Sequence, residues 1–509
     1  MRSPGSIPAN SRRNHRQIKN SPYPLLRSVS DCGNREMGIN IGGQIERVSG
    51  KELSYREFVE RYMKKNEPVV ITGLMDDWRA CRDWVSEGGK PNLHFFSTHF
   101  GKSRVQVADC GTREFTDQKR VEMSVSQFVD QWLHCHGEDH ADVSTSERNS
   151  ILYLKDWHFV KEYPVYTAYT TPLFFHDDWL NLYLDYHHMH KDPDTYQETN
   201  EICCSDYRFV YMGAKGSWTP LHADVFRSYS WSANVCGKKQ WLFLPPSQHH
   251  LVFDRNMKNS VYDIFNDVSD KTFPGFKMAV WLECTQERNE IIFVPSGWYH
   301  QVHNLEDTIS INHNWFNSYN LSWIWDLLQR DYNEAKDYIE DIRDICDDFE
   351  GLCQRNLAAN TGMNFNDFFT FITRFTFANL VLLDYLCKDN EDVTGMPSSP
   401  IVSHLISNLA SLRKVALSME STEGLSDNPG IVHLAEMSND PKFLELCSAL
   451  GKTYKIIHGS DPQSYGAWRD NLGNSDLIKI LSKVCTPRDL VNGMDCAVKE
   501  LRSFSSLSS

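Results

Sequence analysis

Residues 206–244, DYRFVYMGAKGSWTPLHADVFRSYSWSANVCGKKQWLFL, alternate between runs of aromatic and β-branched residues and short turns containing Gly or Pro. Such runs are typical of β-strands, because branched and aromatic side chains pack well on a pleated surface. The predicted strands are Asp206–Met212, Thr219–Asp224, Arg227–Val235 and Lys239–Leu244. The same composition returns in Met278–Glu283, Glu290–Val294 and Thr308–Trp315. Many short strands separated by such turns predict a barrel or a double-sheet jelly roll.

The segments on either side of this β-rich region have a helical pattern. Upstream, Ser54 and Glu57 have the spacing of a capping box, which predicts a helix over Tyr55–Lys65. Downstream, Phe365–Leu386 and Ile401–Leu417 carry apolar residues at helical spacing. The fold class is therefore predicted to be α+β, with a barrel or jelly-roll core and flanking helices.

Three regions are expected along the chain. Residues 1–40 are predicted to be a disordered tail, 41–317 the β-rich domain, and 318–509 a helical C-terminal region. The first 30 residues are basic and contain no acid, a composition that overlaps with transit peptides. Four prolines in this segment leave little room for an amphipathic helix, which favours the disordered tail.

Composition narrows the classes of partner. The formal net charge is −15, and nucleic-acid binding relies on clustered Lys and Arg, so no direct nucleic-acid partner is expected. An apolar run of about 18 residues or more is not evident, so no membrane span is expected either. The 14 cysteines are scattered without a Cys-x-x-Cys pair, which is typical of reduced thiols and favours the cytoplasm, with the nucleus as the alternative.

A His-x-Asp or His-x-Glu triplet can supply two ligands of a 2-His-1-carboxylate metal site. The pattern alone is weak here, because five such triplets occur in a chain with 20 His and 67 acidic residues. We select His222 and Asp224, because this pair follows a Pro-containing turn into a predicted strand of the β-rich region. The other triplets lie in predicted loops, turns or a helix start: His136/Glu138, His140/Asp142, His176/Asp178 and His190/Asp192.

The third ligand should be a histidine on a neighbouring strand. His300 follows the turn Pro295–Trp298 at the end of an apolar strand, with Trp298 and Tyr299 expected to shield its ring. His303 is the competitor, but it should face the opposite way on an extended strand. Two histidine clusters, His187-His188-Met189-His190 and His134-Cys135-His136, are alternative metal sites, for which a loop or surface role is favoured.

An anionic cosubstrate would need a cation deep in the pocket. Lys239 begins the strand after the ligand strand, and it can pair with a carboxylate, with the Thr219 hydroxyl adding a hydrogen bond.

Four motifs in order resemble the jumonji-C family of 2-oxoglutarate oxygenases over about residues 45–317. The motifs are Thr219–Asp224 (TPLHAD), Gly237–Pro246 (GKKQWLFLPP), Pro295–His300 (PSGWYH) and Asn312–Trp315 (NHNW). The entry segment Glu67–Gly73, followed by Trp78, is also similar to the small hydroxylases of this family.

The resemblance implies a double-stranded β-helix (jelly-roll, or cupin) core. It further implies Fe(II) held by His222, Asp224 and His300, with O2 and 2-oxoglutarate as cosubstrates. It also implies that Lys239 pairs with the 5-carboxylate of 2-oxoglutarate, assisted by Thr219. Asn312 and Asn314 correspond to polar residues that line the pocket in relatives. Some relatives carry Asn where this chain has Ser232, whose shorter side chain reaches less far toward the cosubstrate.

The likeness is to the branch of the family that hydroxylates lysine in the eukaryotic translation termination (release) factor. It therefore implies a protein lysyl C-hydroxylase with that factor as protein partner. A histone or protein lysine demethylase and a non-catalytic cupin-like scaffold are the alternatives. The C-terminal helices could form a homodimer, cap the barrel or recruit substrate.

Overall fold

Two β-sheets face each other in the computed structural model, which describes residues 39–135, 150–187, 189, 206–266, 268–388, 399–422, 440–459 and 484–507. The strands of these residues, in chain order, are β1 (Asn40–Gln44), β2 (Glu46–Ser49), β3 (Val69–Thr72), β4 (Arg104–Glu114), β5 (Asp117–Ser124), β6 (Leu152–Trp157), β7 (Arg208–Gly213), β8 (Trp218–His222), β9 (Tyr229–Cys236), β10 (Lys239–Leu244), β11 (Val280–Gln286), β12 (Glu290–Val294), β13 (Tyr299–Asn304) and β14 (Thr308–Trp315).

The smaller sheet has the strand order β1-β11-β10-β13-β8, and the larger has the order β2-β3-β12-β9-β14-β7-β6-β4-β5. Most neighbouring strands are antiparallel; β1 with β11 and β2 with β3 are parallel. This arrangement confirms the predicted jelly-roll core within an α+β fold. The larger sheet also extends further upstream than the sequence indicated, through β4, β5 and β6.

The helices, also in chain order, are α1 (Tyr55–Phe58), α2 (Ala80–Asp83), α3 (Leu93–Phe100), α4 (Val125–Cys135), α5 (Phe159–Glu162), α6 (Trp179–Tyr186), α7 (Leu321–Tyr338), α8 (Phe349–Thr361), α9 (Phe365–Lys388), α10 (Pro400–Met419), α11 (Pro441–Ile457) and α12 (Pro487–Leu507). The predicted capping box is present, since the Ser54 hydroxyl and the Glu57 carboxylate each accept a backbone N–H of the other residue. The predicted helix over Tyr55–Lys65 is divided, because α1 continues as a π-helical turn over Val59–Met63.

Each sheet face has its own apolar cluster. Trp241 and Phe243 of the smaller sheet meet Val70 and Ile292 of the larger sheet between the two layers. On the outer face of the smaller sheet, residues such as Trp281 pack against the chain between β10 and β11. The outer face of the larger sheet packs against the helices in one extensive cluster. The inter-sheet space is therefore only partly filled with apolar side chains, which leaves room for a cavity.

The C-terminal helices share the core of the larger sheet. The apolar cluster on its outer face includes residues on both sides of the predicted boundary at 317/318. Trp179 of α6 stacks on Phe375 of α9, with ring centroids 4.5 Å apart and the planes 3° from parallel. The domain boundary stays a prediction, but α9 packs directly on the β-rich part of the chain.

Helix α9 differs from the expectation that the chain has no candidate membrane span. By length and composition, Phe365–Cys387 of α9 could cross a membrane, although no apolar run of this length was recognised in the sequence. In the structure 72% of an 18-residue apolar stretch within this range is buried inside the protein, as in the core helix of a globular protein.

Phe375→Ala is expected to lower the free energy of unfolding by about 3–5 kcal/mol, because it leaves a cavity against Trp179. Phe375 is fully buried. Chemical denaturation measures the change. The control is Ile406→Ala on α10, whose side chain is 40% exposed and whose loss should cost less than about 1 kcal/mol. Equal losses in the two variants would contradict the role of this ring stack.

Candidate metal centre

Three side chains converge at one edge of the inter-sheet cavity. His222 at the end of β8 lies directly opposite His300 on β13 in an antiparallel pair, and their ring centroids are 4.3 Å apart. Among the described residues, His222, Asp224 and His300 offer ligand atoms that all lie within 4.8 Å of one another. Two imidazoles and one carboxylate at this spacing can hold a single divalent metal ion.

Asp224 lies in a turn, although the sequence predicts a strand over Thr219–Asp224. Strand β8 ends at His222, and Asp224 immediately precedes a short 3₁₀ turn over Val225–Arg227. The Ser230 hydroxyl on β9 donates a 2.7 Å hydrogen bond to Asp224 Oδ2. The carboxylate is thus oriented by a turn and by a residue of the opposite sheet.

Backbone carbonyls set the orientation of both imidazoles. His222 Nδ1 lies 2.8 Å from the carbonyl oxygen of Pro220, and His300 Nδ1 lies 3.2 Å from that of Trp298. A carbonyl only accepts, so each Nδ1 carries the hydrogen and each Nε2 is left with a lone pair for a metal. Burial, together with nearby His222, lowers the pKa of His300 to about 4. His300 is therefore neutral near pH 7, which is the form that binds metals.

The structure separates His300 from its competitor. The His303 ring stacks on Trp218, with centroids 5.5 Å apart and an interplanar angle of 7°, and it does not join the ligand group. The expected shielding of His300 by its sequence neighbours is wrong in part. Its ring lies 5.6 Å from each of the Trp241 and Phe243 rings of β10. Tyr299 packs on the outer face of the sheet instead.

Lys239 is buried on β10 with its ammonium in a polar pocket. Lys239 Nζ donates to Ser310 Oγ at 2.8 Å and to the Tyr153 hydroxyl at 3.3 Å. Its side chain forms no ion pair with any carboxylate in the described part of the chain. Burial lowers the pKa of Lys239 to about 7. A buried ammonium without a counterion is suited to an anionic ligand.

One cavity of about 570 Å³ connects this ammonium to the metal ligands. All of the predicted cosubstrate residues line it: Thr219, Ser232, Lys239, Asn312 and Asn314. Asn312 Nδ2 donates to Ser310 Oγ at 3.1 Å, beside Lys239. Asn314 Nδ2 donates to Ser228 Oγ at 3.2 Å instead. The buried Ser232 Oγ has no hydrogen-bond partner among the described residues, so it can bind a ligand in the cavity.

Sequence reasoning missed Tyr153, Ser230 and Ser310. Tyr153 and Ser310 contact Lys239, and Ser230 orients Asp224. Tyr153 lies on β6, far from every motif of the site, and the sequence analysis predicts no strand in this segment. Pairing of β6 with β7 brings it into the larger sheet.

The competing triplets and clusters do not form a second site among the described residues. Asp178 caps α6 as predicted, accepting the backbone N–H of Asn181, and His176 bonds the carbonyl of Thr171. His187 Nε2 lies 3.8 Å from Asp440 Oδ2. Predictions for His136, Glu138, His140, Asp142, His188, His190 and Asp192 fall outside the residues that the structure describes.

Ser230→Ala is expected to weaken metal binding by about 10–100-fold, the usual effect of removing a residue that orients a ligand. Metal titration of the purified protein measures this, with Ser126→Ala on α4, outside the cavity, as control. An unchanged dissociation constant in Ser230→Ala would show that the turn alone orients Asp224.

Comparison with known proteins identifies the family. A family profile described as a cupin-like domain matches residues 55–321. The chain is 59% identical over 462 residues to the "Arginine-specific demethylase JMJ20" of Arabidopsis thaliana, covering 89% of this chain and 96% of the relative. It is also similar to proteins named "2-oxoglutarate and iron-dependent oxygenase JMJD4". The zebrafish (Danio rerio) protein is 41% identical, covering 63% of this chain and 72% of the relative. The human (Homo sapiens) protein is 36% identical, covering 68% and 81%.

These relatives agree with the donor set and with the cavity. Two imidazoles and a carboxylate suit Fe(II), and the buried Lys239 ammonium suits the distal carboxylate of 2-oxoglutarate. The chain therefore belongs to the cupin-like jumonji-C family of 2-oxoglutarate- and iron-dependent oxygenases.

Proposed function

We propose that this oxygenase hydroxylates an aliphatic carbon of a basic side chain in a protein substrate, with iron held by His222, Asp224 and His300. The observation that carries the proposal is the composition of the cavity described above. The cavity contains the three metal ligands and the buried Lys239, and its wall includes the carboxylates of Asp117 and Asp156 with several aromatic rings. A cationic side chain can enter the cavity, pair with these carboxylates and present its carbon atoms to the metal centre.

Bound iron supplies the oxidising chemistry, in which O2 converts 2-oxoglutarate to succinate and CO2 and one oxygen atom enters a substrate C–H bond as a hydroxyl. The residues of the chain orient the reactants. The Lys239 ammonium holds the distal carboxylate, with Tyr153 and Ser310 fixing its position. Trp241 and Phe243 exclude water from one side of His300. A non-catalytic scaffold would need none of these features, and family membership argues against that alternative.

Lysyl C-hydroxylation is the first candidate reaction, and the eukaryotic release factor is the first substrate to test. The resemblance of the site motifs to the release-factor hydroxylases supports it. A protein with a net charge of −15 also suits a basic partner surface. This substrate would place the enzyme in the cytoplasm.

Arginine N-demethylation is the second candidate, and the relative named "Arginine-specific demethylase JMJ20" favours it. The two reactions share one chemical step. A hydroxyl placed on an N-methyl carbon gives an unstable product that releases formaldehyde. A hydroxyl on a lysyl side-chain carbon that is not bonded to nitrogen is stable. Lysine demethylation would follow the same course on N-methyl-lysine. The reaction therefore depends on which carbon the cavity presents to the metal centre.

Incubation of the full chain with Fe(II), 2-oxoglutarate and either release factor or N-methylarginine peptides distinguishes the candidates by mass spectrometry. A stable gain of one oxygen on lysine supports the hydroxylase. Loss of a methyl group with formaldehyde release supports a demethylase. The control is Asp224→Ala with the same substrates. Oxidation that is confined to neutral side chains, across a panel of peptides, would contradict the proposal.

A further inference from the structure

We infer that the Asp156 carboxylate binds the cationic group of the substrate, and that Arg120 forms an ion pair with this carboxylate in the substrate-free protein. The inference rests on the proposed oxidation of a basic side chain, and it assigns the residue that selects such a side chain. Both residues line the cavity that contains the metal ligands.

An irregularity in β6 directs Asp156 into the cavity. The register between β6 and β7 shifts between Leu154 and Trp157. Asp156 adopts a φ of 56°, in the left-handed region that residues with a Cβ rarely adopt. As a result Tyr153, Lys155 and Asp156 all line the cavity, which regular alternation would not allow. A strained residue of this kind is common at functional sites.

The carboxylate of Asp156 is held ready by two partners. The Tyr211 hydroxyl donates a 2.6 Å hydrogen bond to Oδ1, and Arg120 Nη1 contacts Oδ2. Burial opposes ionisation of Asp156, but Arg120 and Tyr211 outweigh it and keep the pKa of this carboxyl below its usual value. The group is therefore a fixed anion within the cavity wall.

Arg120 can be displaced because it has a second acidic partner. Its Nη2 lies 3.3 Å from Asp117 Oδ2, and Asp117 also lines the cavity. The side chains of Arg120 and Asp156 are 35% and 31% exposed, so an incoming group can reach their ion pair. A substrate cation can form an ion pair with Asp156 while Arg120 stays paired with Asp117. Two carboxylates would then be paired with two cations instead of sharing one.

The nearby lysine does not compete for this position. Lys155 is buried and donates to Gln118 Oε1 at 2.9 Å rather than to a carboxylate. Burial lowers its pKa to about 8. Lys155 therefore lies beside the Asp156 carboxylate without forming an ion pair to it.

Aromatic rings complete a site for a cation. The Phe209 and Tyr211 rings of β7 stack with centroids 6.3 Å apart, and Tyr207 meets Phe209 edge-on at 6.1 Å. All three residues line the cavity together with Asp156. A carboxylate beside aromatic faces binds an ammonium or guanidinium group by ion pairing and cation–π attraction. The Lys239 pocket has the opposite character and suits an anion.

The test measures binding of n-butylammonium and N-methylguanidinium, which mimic lysyl and arginyl side chains, to full-length protein with Fe(II) and 2-oxoglutarate under nitrogen. Asp156→Asn should weaken the binding of both cations by about tenfold or more, as expected for a lost charged hydrogen bond. Arg120→Gln should strengthen it, because the carboxylate loses its competitor. Binding of neutral n-pentanol should change in neither variant. Solution NMR titration gives the dissociation constants.

The opposite signs of the two variants exclude a merely structural ion pair, which would be lost equally in both. Glu122→Gln is the matched control, since Glu122 pairs with Arg104 on the same hairpin and does not line the cavity. Unchanged 2-oxoglutarate affinity shows that a variant is folded. If Asp156→Asn does not fold, the sign of the Arg120→Gln effect decides. Weaker or unchanged cation binding in Arg120→Gln would overturn the inference.

This experiment separates failure of the inference from failure of the proposed function. Binding of cations that depends on Asp156, without oxidation of any lysyl or methylarginyl substrate, would refute the proposed reaction and keep the cation site. Oxidation of such a substrate with an unchanged KM in Asp156→Asn would refute the assignment of Asp156 and keep the reaction.

Discussion

Asp224→Ala and His222→Ala are each expected to reduce 2-oxoglutarate turnover by more than about 100-fold. The loss should exceed the effect of about 10–100-fold that follows removal of a residue that only orients a metal ligand. The three ligand atoms lie within 4.8 Å of one another, and removal of one leaves two donors to hold the metal. Iron titration and succinate production measure binding and turnover in the same preparation. Both quantities should fall together.

His303→Gln is the matched control for this prediction. His303 lies on the same strand as His300, but its Nε2 is 2.8 Å from Gln301 Nε2 and its ring stacks on Trp218. Its replacement should leave iron binding within about twofold of wild type, in line with the small effects of residues without a role at the site. Full turnover in Asp224→Ala, or lost iron binding in His303→Gln, would refute the ligand assignment.

Lys239→Ala is expected to raise the KM for 2-oxoglutarate by about 10–100-fold, because a buried hydrogen bond to a charged group is lost. Tyr153 and Ser310 remain in the pocket but carry no positive charge. Initial rates of succinate production across a range of 2-oxoglutarate concentrations measure the effect. Unchanged KM with reduced kcat would indicate that Lys239 does not contact the cosubstrate.

The pH dependence of this KM tests the same pocket without loss of the side chain. Burial lowers the pKa of Lys239 to about 7, so the free protein carries the ammonium below that pH and largely loses it above. A bound carboxylate favours the ammonium, so binding above pH 7 must take up a proton. The KM should therefore rise by up to about tenfold per pH unit above pH 7. Lys239→Arg should bind without this dependence, because arginine does not titrate in that range.

Much of the fold was predictable because strand and helix signals are local. The predicted strands Lys239–Leu244, Glu290–Val294 and Thr308–Trp315 agree with β10, β12 and β14 residue for residue. Runs of aromatic and β-branched residues bounded by turn residues indicate a strand and its approximate ends. Upstream of residue 160, the short buried strand predicted over Pro68–Gly73 agrees with β3. The sequence does not indicate β4 and β5, because both are half exposed and carry many charged residues.

The sequence alone determined the residue types of the site: two histidines, one aspartate and one lysine, each beside a turn or strand of the β-rich region. The turn and predicted strand around His222, with Lys239 and His300 in the same β-rich region, favoured this residue over the competing triplets. Family membership agrees with the chemistry that these residues can perform. Local pattern was sufficient for this part because each motif includes its own turn and strand.

Tertiary structure alone decided how these residues meet and what else joins them. Asp224 reaches the metal centre through a turn that Ser230 of the opposite sheet supports, and not through strand alternation. Tyr153 contacts Lys239 across 86 positions of the chain. The register shift in β6 turns Asp156 toward the same cavity. Such contacts depend on strand register and sheet pairing, which are set by packing over the whole core and leave no signal in the local sequence.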